Sequence, residues 1–277
     1  MKTLLADAGS TKTDWLLRDN QGDALRFHTD GMNPSLLTDD EIRHILTTQL
    51  LPQVEGFLIE QVDFYGAGCR GEAAERMKNL LGEVVGARNI TVESDMLGAA
   101  RMLCGNNSGI VCILGTGANS CLYDGQQISQ QTPALGFILG DEGSGAVLGR
   151  RLIGDIFKGQ LPEDLCKDFL LDYPLTMDEL IRRVYRTSAP NQYLASFTPF
   201  LSKNIHRAEI QEIIRDEFHR FIRRNVLAYL AYTTAETPLH FVGSIASVFQ
   251  TQLSEVVAQY DFTLGKVVRQ PIDALCR

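Results

Sequence analysis

The sequence predicts an α/β fold, on three observations. Short apolar runs with strand character alternate with stretches of helical periodicity over much of the chain. Four glycine-bearing turns follow or adjoin apolar runs: Asp7-Ala8-Gly9-Ser10-Thr11-Lys12-Thr13, Gly115-Thr116-Gly117-Ala118-Asn119-Ser120, Gly140-Asp141-Glu142-Gly143-Ser144 and Gly243-Ser244. Finally, each half of the chain offers a strand, a glycine-hydroxyl turn and a returning strand.

Taken in order, residues 2–6 read as a first strand and Trp15 to Arg18 as a second, with Gly9 to Thr13 as their hairpin turn. Gly22-Asp23 marks a turn before a third strand, Ala24 to Phe27. Thr38-Asp39-Asp40-Glu41 is a capping box, and apolar Ile42, Ile45 and Leu46 follow it, so a helix is expected over about 39–50. Val62 to Gly66 is strand-like, Glu72 to Leu81 helical, Ile90 to Glu93 a strand and Met96 to Cys104 a helix. The polar stretch Gly105 to Gly109 is a turn and a candidate domain boundary. Beyond it come strands Ile110 to Leu114 and Asn119 to Tyr123, then a helix over roughly Ser144 to Ile156. Arg207 to Tyr232 carries the longest helical pattern, Leu239 to Val242 is a strand, and Ile245 to Gln259 has a helical reading. Identity between the halves is too low to establish duplication.

A length of 277 residues fits one large domain or two of ordinary size. The formal charge of -8 argues against a nucleic-acid partner, though it leaves room for an anionic nucleotide in a local site. No apolar run reaches the roughly 18 residues of a spanning helix, and the N-terminal apolar stretch is too short for a signal peptide. The expectations are no membrane partner and a cytoplasmic location. The cysteines Cys69, Cys104, Cys112, Cys121, Cys166 and Cys276 are scattered without a CxxC pair, which argues against zinc or a disulfide scaffold.

The clusters suit polyanion chemistry. Gly9 allows backbone donors to approach a phosphate, Ser10, Thr11 and Thr13 add hydroxyls, and Lys12 adds charge. Asp7, at a strand end, is a candidate Mg²⁺ ligand, directly or through water. The alternative for this segment is a plain hairpin turn with a solvated aspartate. Gly115-Thr116-Gly117 offers a second phosphate clasp, with the same alternative. Asp95 follows a strand and precedes a helix; it is either a general base for an attacking alcohol or a helix cap. Asp141 is either a contact to a sugar hydroxyl or metal, or the cap of the next helix. Together these supply the cradle, metal ligand and base that phosphoryl transfer needs. The P-loop pattern GxxxxGK[ST] is absent.

As a joint set, in order from Asp7 to Pro271, these motifs resemble the BadF/BadG/BcrA/BcrD-type ATPase family, in its N-acetylglucosamine kinase-like branch. The wider group is the actin, Hsp70 and sugar kinase superfamily. The resemblance implies two ribonuclease H-like lobes with a nucleotide cleft between them. Residues 1–105 would form the first lobe, rejoined by 262–277, and 106–261 the second. It implies ATP and Mg²⁺ as cofactors, an amino sugar as small-molecule partner, and a homodimer. By residue, it puts Asp7 on Mg²⁺, and Gly9 to Thr13 with Gly115, Thr116 and Gly117 on the phosphates. Gly243, Ser244 and Ser247 fall on the adenosine, and Asp95 is the base near the sugar O6. Asn33, Gly136, Phe137 and Asp141 fall on the sugar. The implied activity is ATP-dependent phosphorylation of an N-acetylated amino sugar, N-acetylglucosamine giving the 6-phosphate.

The chain departs from the animal enzymes of this branch. The loop before Gly140 reads Leu135-Gly136-Phe137-Ile138-Leu139, with Phe137 where they carry tryptophan and without their histidine. The second clasp lacks the serine usual after Gly117. These changes bear on the sugar rather than on phosphoryl transfer. Alternatives are a kinase for N-acetylmannosamine, N-acetylmuramic acid or glucosamine, and a non-catalytic ATP-binding regulator. The iron–sulfur activase branch is disfavoured, since no Asn-Asp-Lys-Cys-like motif occurs.

Overall fold

The apolar runs pair into two five-stranded mixed sheets in the computed structural model, which describes residues 2–9, 11–19, 24–234 and 236–275. The Ser10, Gly22, Asp23 and Cys276 of the sequence readings lie outside the described residues. The chain divides into two compact units, residues 1–105 with 270–277, and residues 106–269.

In the first unit the strands are β1 (Lys2–Ala8), β2 (Lys12–Asp19), β3 (Ala24–Asp30), β4 (Ile59–Gly66) and β5 (Asn89–Ser94). Their order is β3-β2-β1-β4-β5, with β1 antiparallel to β2 and parallel to β4. The register aligns Ala8 with Gly66 and Gly66 with Ser94, so the three parallel strands end together. That shared carboxyl edge is where ligands of open α/β sheets bind. It carries Asp7, Gly9 and Asp95.

Alternation along the strands separates two cores. Leu4, Ala6 and Ala8 pack with Trp15, Leu17 and Phe64 on one face, closed by the helices Asp39–Ile45 and Glu72–Val85. On the other face Leu5, Leu16 and Tyr65 meet Met102 of the helix Asp95–Cys104 and Ile272 of the short C-terminal helix Pro271–Leu275. The capping box forms as read: the Thr38 side chain accepts from the Glu41 N–H, and the Glu41 carboxylate accepts from the Thr38 N–H. The helix begun there widens to a π-turn at Leu46–Leu50 and continues over Leu51–Val54.

The second unit contains β6 (Gly109–Leu114), β7 (Ala118–Tyr123), β8 (Ile128–Gln131), β9 (Pro238–Val242) and β10 (Thr263–Val268), in the order β10-β9-β6-β7-β8. Matching β6 to β1 and β9 to β4 gives the strand order and directions of the first sheet again. The repeated order of elements read from the sequence is thus a repeated sheet topology. β10 hydrogen-bonds to β9, so residues 263–268 complete this sheet, and the chain returns to the first unit at Gln270. The core here is aromatic and aliphatic, with the Phe169 ring in contact with those of Phe197 and Phe200. The long helical pattern of residues 207–232 comprises three forms in series: an α-helix Ala208–Phe221, a π-turn Ile222–Val226 and a 3₁₀ stretch Leu227–Tyr232. Among the described residues no helix is long and apolar enough to cross a membrane.

Candidate active site

At the carboxyl edge of the first sheet, Asp7 of β1 faces Asp14 of β2 in the strand register. Burial and the carboxylates of Asp95, Asp14 and Asp273 raise the Asp7 pKa from 3.8 to about 7, against a smaller opposing effect of Lys12. Lys12 is engaged elsewhere, its Nζ lying 2.6 Å from Asp14 Oδ1. Gln270 Nε2 donates to the other oxygen of Asp14 at 2.8 Å. Such a set of like charges is relieved by a cation. Among the described residues no group of three or more His, Cys, Asp or Glu side chains is placed to enclose a metal. Mg²⁺ does not require one, since it keeps several waters and uses one or two carboxylates plus phosphate oxygens. The residues therefore fit a Mg²⁺ held through Asp7.

Asp95 is not the cap of its helix. Ser94 is, its hydroxyl accepting from the Leu97 N–H at 3.3 Å. Asp95 occupies the first helical position, with one oxygen accepting from the Met96 N–H at 2.9 Å. Burial raises its pKa, while that hydrogen bond and the Arg70 charge act in the opposite direction. A carboxylate made more basic by burial is a better proton acceptor.

Asn33 sits against the turn after β4. Its Oδ1 accepts from the Ser35 N–H at 2.9 Å. Gly68, at φ +78°, has no room for a side chain, because a Cβ there would lie 2.1 Å from Asn33 Oδ1. Thr11 is exposed, but Thr13 points to the opposite face of β2 from Lys12 and Asp14 and is fully buried. Its hydroxyl has no hydrogen-bond partner among the described residues.

In the second unit, β6 and its parallel neighbour β9 end side by side, with Ile113 opposite Val242. Gly115 to Gly117 and Gly243-Ser244 therefore emerge at one edge. Gly243, at φ +125°, lies so close to β6 that a Cβ would sit 2.2 Å from the Leu114 carbonyl oxygen. The Gly243 carbonyl accepts from the Ser247 N–H at 3.1 Å. The helix Gly145–Phe157 braces the turn: the Gly145 and Ala146 N–H groups donate to the carbonyls of Gly115 and Thr116 at 2.8 and 3.1 Å.

That helix too is capped by serine, Ser144 accepting from the Val147 N–H, which leaves Asp141 free of the capping role. Asp141 holds a left-handed backbone, φ +56°, unusual for a residue other than glycine. Desolvation raises its pKa first, Glu142 adds to this, and an N–H from Ala118 opposes it. Strained backbones and perturbed carboxylates are concentrated at functional sites, though Asp261 shares the same left-handed φ.

Asp141 lines a cavity of about 340 Å³ with Ala118, Leu135, Leu139, Glu142, Arg224 and Asn225 among its other walls. Phe137 does not line it; its ring packs against the core and its carbonyl accepts from Arg150. Gly136 is likewise outside the lining. Glu142, Arg224 and Asn225 escaped the sequence reading. Glu142 lay inside a motif already assigned, but no local signal ties it to the two residues of a distant helix.

Neither a protein-family model nor a curated protein matches this sequence. Solved structures do. One, named "Putative N-acetylglucosamine Kinase", from Porphyromonas gingivalis, is 44% identical over 99% of this chain and 96% of its own, with a TM-score of 0.94. The chain belongs to the N-acetylglucosamine kinase-like branch of the BadF/BadG/BcrA/BcrD-type ATPase family. A protein of the same name from Chromobacterium violaceum shares the fold at 16% identity and a TM-score of 0.76, over 99% of this chain and 96% of its own. So does a ROK family glucokinase from Streptomyces griseus, solved with glucose and AMPPNP, at 15% identity and a TM-score of 0.64 over 98% and 95%. Membership of this N-acetylglucosamine kinase-like branch accounts for the doubled sheet and for glycine turns at the carboxyl edge of each.

Proposed function

We propose that this chain is an ATP-dependent kinase that phosphorylates N-acetylglucosamine, giving the 6-phosphate. The observation that carries the reaction is the pairing of Asp7 and Asp95 at one sheet edge, two half-buried carboxylates each raised in pKa and neither spent on a cap. The acceptor comes from the 44% identical relative and its name.

In the reaction the acceptor hydroxyl gives its proton to the Asp95 carboxylate as its oxygen forms a bond to the γ-phosphorus. The bond from that phosphorus to the β–γ bridging oxygen breaks, and ADP leaves with the electron pair. Backbone N–H groups of Thr11, Thr116 and Gly117 stabilise the charge on the phosphoryl oxygens, while those of Gly9 and Gly115 hold the turns by donating to the Lys12 and Gly117 carbonyls. Mg²⁺, held through Asp7, neutralises phosphate charge when bound. Gly243, Ser244 and Ser247 take the adenosine. Asn33 and Asp141 orient the sugar; Ser10, Thr11 and Lys12 are the remaining candidates for phosphate contacts, and Thr13 is structural. The family expectation of a homodimer, and a cytoplasmic location, belong to the same proposal.

The test is an ADP-release assay over a panel of N-acetylglucosamine, N-acetylmannosamine, N-acetylmuramic acid and glucosamine, with mass measurement of the product. A phosphorylated sugar supports the reading. ATP binding with no sugar-dependent ADP release would favour a nucleotide-binding regulator instead.

A further inference from the structure

The cavity in the second unit has one basic wall, and its wiring is specific. Arg224 and Asn225 lie on the π-turn Ile222–Val226, a single-turn widening of the kind often found at functional sites. Buried Glu142 accepts from Arg224 through Nε and from Asn225 Nδ2 at 3.2 Å. The Asn225 carbonyl accepts from the hydroxyls of Ser120 and Thr132, both at 3.0 Å. The turn is thus fixed to β7 and to the segment after β8. Glu142 fixes the Nε edge of the guanidinium, while among the described residues no hydrogen bond engages its two Nη groups. The side chain is 59% exposed and lines the cavity.

Ala118, Leu135 and Leu139 supply apolar surface to the same cavity. A cavity that offers both a donor fork and apolar surface suits a small acyl group, which has a carbonyl oxygen and a methyl. The charges decide between neutral and acidic substituents. Asp141 and Glu142 against Arg224 leave one negative charge in excess. A ligand carboxylate would meet that excess, whereas a neutral carbonyl accepts from the fork without penalty.

We infer that Arg224 is a specificity-determining residue that donates an Nη hydrogen bond to the N-acyl carbonyl of the acceptor, selecting neutral N-acylated sugars over acidic ones. This rests on the amino-sugar kinase reading and names the substrate class within it.

The experiment uses the full chain and two variants, Arg224→Gln and the double variant Glu142→Gln with Arg224→Gln, which leaves no buried carboxylate unpaired. KM for N-acetylglucosamine and for ATP are measured, with calorimetric binding of N-acetylglucosamine and N-acetylmuramic acid and a thermal melt of each protein. Loss of a hydrogen bond from a charged donor raises KM and Kd for N-acetylglucosamine about 10- to 100-fold, with ATP KM within about twofold. Wild type binds N-acetylglucosamine more tightly than N-acetylmuramic acid. Unchanged N-acetylglucosamine affinity in a folded variant overturns the inference. An equal rise in ATP KM, tighter wild-type binding of the acidic sugar, or no wild-type binding of either sugar also overturns it. Binding of N-acetylglucosamine that depends on Arg224, without turnover, would refute the kinase reading and leave the inference standing.

Discussion

Ser94 caps the helix that Asp95 begins, so the helix engages the Asp95 carboxylate through a single oxygen, which accepts from the Met96 N–H at 2.9 Å. Capping falls to the Ser94 hydroxyl, and the second Asp95 oxygen takes no part in that contact. The same division recurs in the second unit, where Ser144 caps and Asp141 faces a cavity.

Asp141→Gly separates strain from function. The left-handed backbone costs a non-glycine residue about 1–3 kcal/mol. We expect a melting temperature equal to or above wild type, together with a rise in KM for the sugar of at least about tenfold. Steady-state kinetics and calorimetric melts check both, and an unchanged KM would remove Asp141 from the acceptor site.

Thr13→Val discriminates between a buried structural threonine and a phosphate ligand. The Thr13 hydroxyl is fully buried without a partner among the described residues, so replacing it by a methyl stabilises the protein by up to about 1–3 kcal/mol. ATP KM is expected to remain within about twofold. Urea denaturation and ATP titration report the two quantities, and a large loss of ATP affinity would return Thr13 to the phosphates.

Asp7 makes stability pH-dependent in a direction opposite to that of a salt-bridged aspartate. Its folded pKa, about 7, lies above the 3.8 of an ordinary aspartate. Between these values the folded protein holds a proton that the unfolded chain has released, so this contribution to stability falls as pH rises from about 4 to 7 and then levels off. Asp7→Asn should abolish that component in urea melts at pH 5 and pH 8 in EDTA. With Mg²⁺ present, affinity for the metal–nucleotide complex should improve as pH rises through 7 in wild type and not in the variant.

Gly243→Ala tests the close approach of the second unit's parallel strands. The alanine meets both an unfavourable φ and the Leu114 carbonyl at 2.2 Å. Strain alone costs about 1–3 kcal/mol, and the steric contact adds to it. A lowered melting temperature with weakened ATP binding is expected; a stability equal to wild type would show that the two strand ends move apart freely.

The parts of this molecule legible in the sequence were those with local causes. Thr38 to Glu41 announced a helix start because a capping box is a four-residue device. The glycine turns at Gly115 and Gly243 were visible because each follows an apolar strand. The burial of Thr13 is not legible in the sequence for a physical reason: Trp15, Leu16 and Leu17 are all buried, so the apolar run hides the alternation that turns Thr13 away from Lys12 and Asp14. β8 and β10 went unread because Ile128–Gln131 is short and polar and Thr263–Val268 is interrupted by Gly265 and Lys266. The link between Glu142 and Arg224 depends on tertiary folding and a π-turn, neither of which has a sequence period.

The most direct test of the account is transfer of label from γ-labelled ATP to N-acetylglucosamine by wild type and Asp95→Asn under saturating substrates. The account predicts label on the sugar 6-oxygen with wild type, and a rate about 10²- to 10⁴-fold lower with the variant, which still binds ATP. Label that appears on the sugar at equal rates with both proteins, or not at all with wild type, would contradict it.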